Sequence, residues 1–238
     1  MVCREPKGRP QFLSRLGSLP VCSLLRAPAS TGKRTTAEYL ADQAGVLSID
    51  RRMIPAPYWK DETFIEPELS VEMVRDMIVW ARTAPRSPAG KVAIIRLDHV
   101  RADGSFWRAS PRCVTALLKT LEEPPAGVRF ILLASGPVAS TIVSRAVCVS
   151  AGLLPIEVVS EILYEVSDLD RTGAAEVAAL GHGSVAPALA AKAGAVGSLE
   201  AVLGVLGDIA SADLEAAFAR AREWTHAQTS LLLRAAHE

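Results

Sequence analysis

The chain reads as an α/β protein: a parallel sheet flanked by helices, followed by a small helical lid and a short helical tail. Three observations carry that reading. Short apolar runs with turn-bounded ends at Val21–Arg26, Val92–Ile95 and Val128–Ala134 have the length of buried strands. Helical patterns lie between them, around residues 33–44, 70–81 and 116–122. After Val149 the apolar spacing changes from strand-like to helical and stays so. The expected division is a basic arm (1–20), an α/β domain (21–150), a three-helix lid (151–193) and a helical tail (194–238).

Composition narrows the class. Half of the 238 residues are hydrophobic and 22% are charged, which marks a globular chain. Lys+Arg and Asp+Glu balance at 26 each, which argues against a stand-alone nucleic-acid binder and leaves room for local basic patches. No run of about 18 apolar residues exists to cross a membrane. The first residues carry Arg4, Lys7, Arg9 and Arg15 with no apolar stretch behind them, so no signal peptide is expected. Cys3, Cys22, Cys113 and Cys148 match neither a metal spacing nor a disulfide framework, so the expectation is a reduced, cytoplasmic protein.

The arm, broken by Pro6, Pro10 and Pro20, is expected to hold one short helix near Phe12–Leu16. Val21–Arg26 then leads through a small-residue loop with Gly32-Lys33 into a helix at about Lys33–Ala44. Strand, loop and helix in that order are what a phosphate loop requires: backbone N–H groups cradle phosphate and the lysine reaches the outer oxygens. Against the template G-x-x-x-x-G-K-[ST], however, the first glycine is Ala27 and the Mg²⁺-binding hydroxyl is Arg34. Thr35 comes one place late, about 100° round the helix. The loop therefore reads as a corner without productive ATP turnover, with weak binding or real activity as the alternatives.

Val46–Ile49 is a candidate second strand, and Pro55, Pro57 and Pro67 point to irregular chain after it. Ser70 caps a helix carrying Val71, Val74, Met77, Ile78 and Ala81 on one face and ending before Pro85. Val92–Ile95 reads as a central parallel strand. It runs into Arg96, which would repel a metal, and then Asp98-His99, either an acid–base or metal pair or a loop turn. Phe106-Trp107 lies in a basic loop, either to stack on bases or a partner or to tuck beneath the loop.

The most informative stretch is Ala116–Arg145, ALLKTLEEPPAGVRFILLASGPVASTIVSR. It resembles the matching segment of bacterial clamp-loader subunits, the delta-prime and gamma/tau subunits of DNA polymerase III, which are AAA+ proteins. Ala116–Pro125 follows their motif without a gap, and Ser144-Arg145 falls at their Ser-Arg-Cys motif, with Ala146 in place of the cysteine. The resemblance reaches more weakly over residues 21–193 and implies an AAA+ sheet with a helical lid.

It also implies roles. Arg145 would be an arginine finger reaching a neighbouring subunit's ATP, since a planar, permanently charged fork suits a transferring phosphoryl group. The alternative is a surface arginine at a helix C-terminus. Ser135 falls near the sensor-1 position. Gly32, Lys33 and Thr35 would be the remnants of the chain's own phosphate site. The acidic pair after the KVAII strand is Arg96-Leu97, and the lid's Gly-Ser-x-Arg is Gly183-Ser184-Val185-Ala186. Gly45–Val74 holds no cysteine, so the family's zinc module is not expected. Ala27, Arg34, Arg96-Leu97 and Ala186 all depart from the ATPase pattern, while the arginine that serves a neighbour is kept. This resembles delta-prime more than gamma/tau.

In the lid, helices are expected at Ile156–Val166 after Pro155, at Thr172–Leu180 and at Ser184–Ala193. In the tail, Leu199, Val202, Leu203 and Leu206 share a face. Ser211 caps a longer helix with Leu214, Phe218, Ala221 and Trp224 inward. The tail is shorter than the family's C-terminal collar.

The favoured reading is a non-hydrolysing clamp-loader subunit that holds no ATP productively. Its partners would be gamma/tau-type ATPase subunits and a delta-type subunit, with sliding clamp and primer-template DNA reached through the complex. The alternatives are an active AAA+ ATPase using Lys33 and Asp98, and a divergent paralogue that binds such a partner without loading.

Overall fold

The computed structural model describes residues 19–56, 58–60, 63–65, 67–100 and 106–189. The expected Phe12–Leu16 helix and the tail helices lie outside the described residues.

A five-stranded, all-parallel sheet forms the centre. Its strands are β1 (Cys22–Arg26), β2 (Arg51–Ile54), β5 (Lys91–Arg96), β8 (Val128–Ala134) and β9 (Val147–Ser150), in the order β2-β5-β8-β1-β9. Two antiparallel hairpins are added: β3 (Tyr58–Lys60) with β4 (Thr63–Ile65), and β6 (Asp98–Val100) with β7 (Phe106–Arg108). The helices are α1 (Lys33–Gln43), α2 (Val71–Arg82), α3 (Pro111–Glu122), the short α4 (Ser140–Val143), α5 (Ile156–Val166) and α6 (Arg171–Leu180).

Successive residues of a strand point to opposite faces, and parallel strands must be covered on both. In β5, Val92 and Ile94 pack with Ala37, Leu40 and Ala41 of α1. Ala93 and Ile95 pack on the other face with Val74 and Met77 of α2 and Leu117 of α3. Leu24, Phe130, Leu132 and Ile95 are fully buried. Each such side chain contributes roughly 1.5–3 kcal/mol of transfer free energy.

The helix ends follow their caps. Ser70 Oγ accepts the Met73 N–H at 3.2 Å. The Glu72 carboxyl in that first turn is held below its usual range, first by a backbone hydrogen bond and then by the Ser70 hydroxyl. Ser110 caps α3 with Pro111 at the first turn, so this helix begins earlier than Ala116.

Two expectations are corrected. Val46–Ile49 is not a strand: Val46 is buried in the loop after α1, Leu47 and Ile49 are exposed, and a 3-10 turn (Ser48–Asp50) delivers the chain to β2. The buried Asp50 carboxylate sets that corner by accepting the N–H groups of Arg86 and Ser87. The proline-rich stretch after β2 is not wholly irregular either, because it holds the β3–β4 hairpin. Prolines at its margins leave the paired residues free to exchange hydrogen bonds.

The lid packs α5 on α6 through Leu154, Val159, Leu163, Ala174, Ala178 and Ala188. Alanines at the contact let the helices approach closely. A further helix starts at 185 and is described to 189. Gly183 joins it to α6 at φ +80°, where a Cβ would lie 2.6 Å from the Leu154 carbonyl oxygen, so only glycine fits.

Candidate functional site

The two ends of the sheet carry different chemistry. At the carboxyl end, where open α/β sheets hold their ligands, β1 passes into the loop Ala27–Gly32. Gly32 takes φ +83° and Ser30 φ +56°, the left-handed geometry that turns the chain into α1. Lys33 folds back over this loop. Its Nζ donates to the carbonyls of Ala27 and Pro28 at 2.8 and 2.7 Å. The Thr31 hydroxyl also donates to Pro28, and Thr36 Oγ1 donates to Gly32.

The lid closes the same loop from outside. Ser184 Oγ donates to the Ala29 carbonyl at 3.2 Å, and the Val185 N–H donates to the Ser30 carbonyl at 3.0 Å. The carbonyls of Ala27, Pro28, Ala29 and Ser30 are thus all taken by groups of this chain. Arg34, where an ATPase has its metal-binding hydroxyl, points outward and pairs with Glu38 at 2.8 Å. Thr35 is exposed beside it.

At the end of β5, Arg96 is half-buried and Leu97 is buried. Asp98 is only 4% exposed, and its two oxygens accept the N–H groups of Ser135 and Gly136 at 2.6 and 2.9 Å. Asp98 is therefore a brace for the turn after β8, and Ser135 meets it through its backbone. The side chain of His99 lies outside the described residues. Phe106 and Trp107 part company on alternating sides of β7: Trp107 is buried in the core and Phe106 is 46% exposed. Of the two alternatives, tucking beneath the loop holds for Trp107 and not for Phe106, because of this alternation.

Arg145 lies at the opposite end. It sits just before β9, whose Val147 pairs with Ser23 near the start of β1 and whose Ser150 pairs with Arg26 beside the Ala27–Gly32 loop. At about 3.3 Å per residue the two ends are separated by roughly 10–15 Å of strand. Nε of Arg145 donates to Glu122 Oε1 at 2.8 Å, and Nη2 donates to the same oxygen. Nη1 donates to the Thr141 carbonyl at 2.7 Å and to Ser144 Oγ at 3.1 Å.

An open groove runs past the guanidinium, walled by Val21, Cys22, Leu121, Pro124 and Val147. The Cys22 thiol is pushed up to about 12, by burial first and by nearby Cys148 second, so this wall is neutral and apolar.

The structure thus gathers Gly32 and Lys33 at one end, leaves Thr35 on the surface, engages Ser135 through its N–H, and sets Arg145 apart. Thr36, Glu122 and Ser184 were missed in the sequence. Thr36 has a local signal, since a helical threonine can bond back to the carbonyl four residues earlier. Glu122 stands in the quoted motif, but its partner is 23 residues away. Ser184 meets a loop 155 residues away, which no local pattern announces.

No family model and no curated protein matches the chain in sequence. Its fold is similar to that of a DNA polymerase III gamma subunit-related protein from Thermotoga maritima: 20% identity, TM-score 0.51, covering 82% of this chain and 61% of that one. It is also similar to a mutant RuvB from Thermotoga maritima at 15% identity and TM-score 0.50, covering 81% of this chain and 60% of that one. The chain therefore spans about three-fifths of each of these two. With the parallel sheet, its strand order and the lid, these likenesses give the chain the AAA+ fold. Among the described residues no helix is long and apolar enough to cross a membrane.

Proposed function

We propose that the chain is a delta-prime-like clamp-loader subunit. In this reading it does not hydrolyse ATP, and it offers Arg145 to the ATP bound by a neighbouring gamma/tau-type AAA+ subunit. A delta-type subunit, a sliding clamp and primer-template DNA would be its further partners through the complex.

The observation that carries the reading is the division between the two ends of the sheet. At the phosphate-loop end, Ala27, Arg34, Arg96-Leu97 and Ala186 replace residues that an ATPase uses for metal and phosphate, and the lid is bonded directly to the loop by Ser184 and Val185. Arg96 brings positive charge where an ATPase needs a carboxylate for Mg²⁺. At the other end, Arg145 is a complete guanidinium beside an open groove. That suits a group acting on another chain, because nothing of this chain's own phosphate loop is within its reach. A fold likeness to a gamma subunit-related protein supports the same assembly class.

The retained Gly32-Lys33 at the start of α1 favours a second reading, an AAA+ ATPase in its own right. One pair of assays separates them. The purified chain should show no ATP hydrolysis, and it should stimulate hydrolysis by a gamma/tau-type ATPase only while Arg145 is present. Hydrolysis by the chain alone, abolished by Lys33→Ala, would sink the proposal.

A further inference from the structure

A guanidinium can meet a carboxylate or a phosphate end-on, through its two Nη groups, or along its side edge, Nε–H with an Nη–H beside it. In Arg145 the side edge is given to Glu122, with Nε and Nη2 both on Oε1. The remaining nitrogen is anchored separately on Thr141 O and Ser144 Oγ. The side chain would keep its place without Glu122, so the carboxylate covers the arginine without being needed to position it.

Glu122 is also in an unfavourable place on its own account. It is the last residue of α3, followed by Glu123, where the helix's unsatisfied carbonyls disfavour negative charge. Arg145 offsets that cost. The two side chains are 47% and 30% exposed, so water can replace either partner and the pair can exchange one anion for another.

We propose that Glu122 is an intramolecular mask on Arg145. The carboxylate occupies the side edge, which can bind phosphate, and yields it when a neighbouring subunit presents a nucleoside triphosphate at the groove. This rests on the trans role of Arg145 proposed above. The mask keeps the arginine from free anions and sets how tightly a neighbour must bind before the arginine transfers.

Two measurements test it, on the full chain carrying Glu122→Gln. The first needs no partner: the rate at which phenylglyoxal modifies Arg145, followed by mass spectrometry. The substitution should raise that rate roughly two- to fivefold, the factor that matches an exposed ion pair. An unchanged rate overturns the mask. The second is stimulation of ATP hydrolysis by a gamma/tau-type ATPase as this chain is titrated in. Glu122→Gln should lower the half-saturating concentration by a similar, roughly two- to fivefold, factor. A curve unchanged or shifted to higher concentration, with Arg145→Ala inactive, overturns the mask and leaves the trans role standing. Full stimulation by Arg145→Ala instead removes the trans role and the proposal with it.

Discussion

The carboxyl end of the sheet and the amino end present opposite kinds of site built from similar groups. At the carboxyl end, Lys33, Ser184 and Asp98 are turned inward onto backbone: onto loop carbonyls in the first two cases and onto N–H groups in the third. At the amino end, Arg145 is bonded, among the described residues, along its own turn and to one exposed carboxylate. The first arrangement spends its charges on holding the chain's shape. The second holds a charge at a surface, against an exposed carboxylate. The difference is one of partner type. A buried backbone group is left unsatisfied when its partner goes, whereas an exposed ion pair gives way to water at little cost.

Arg145→Ala should have the largest effect. Stimulation of a gamma/tau-type ATPase should fall by roughly a thousandfold, the scale of an arginine finger, while stability to urea hardly moves. Retained stimulation would erase the functional half of the contrast.

Asp98→Ala should do the reverse. It strands the half-buried N–H groups of Ser135 and Gly136. The expected loss is about 2–4 kcal/mol of stability in urea unfolding, from two unsatisfied donors. A change below about 1 kcal/mol would mean that water satisfies them and that the carboxyl end is less closed than it looks.

Ser184→Ala removes one of the two bonds between lid and loop. It should cost about 1 kcal/mol and speed amide exchange in the loop around Thr31. If exchange stays as slow as in the unaltered chain, the Val185 bond and the lid core suffice to keep the loop closed.

Lys33→Ala sharpens the comparison from the opposite side, because no change in ATP hydrolysis is expected. A drop in activity of the isolated chain would make the carboxyl end a working site.

The frame was legible in the sequence wherever local rules act alone. Val128–Ala134 is a strand over those same residues, since an apolar run bounded by Pro124-Pro125 and Ser135-Gly136 has no other compact use. Ser70 and its helix follow from a hydroxyl that caps the first turn and from apolar spacing near 3.6. Misreadings fell where neighbours far along the chain decide. Val46–Ile49 has strand composition, but Asp50, bonded to Arg86 and Ser87, fixes the corner and moves the strand to Arg51–Ile54. Phe106 and Trp107 are equally apolar neighbours, and only the hairpin register sends one in and the other out.

By itself, then, the sequence determined which residues were available: a lysine without its magnesium hydroxyl, arginine and leucine at the end of β5 where an ATPase has acids, and an arginine at the end of a motif. These are matters of side-chain chemistry, fixed by composition and spacing. The tertiary structure alone decided what those groups are bonded to. Lys33 and Ser184 close one loop from two sides, Asp98 braces the turn after β8, and Glu122 covers Arg145. Hydrogen bonds and ion pairs reach only about 3 Å. Which charge meets which carbonyl depends on strand order and helix packing that bring together residues as far as 155 positions apart.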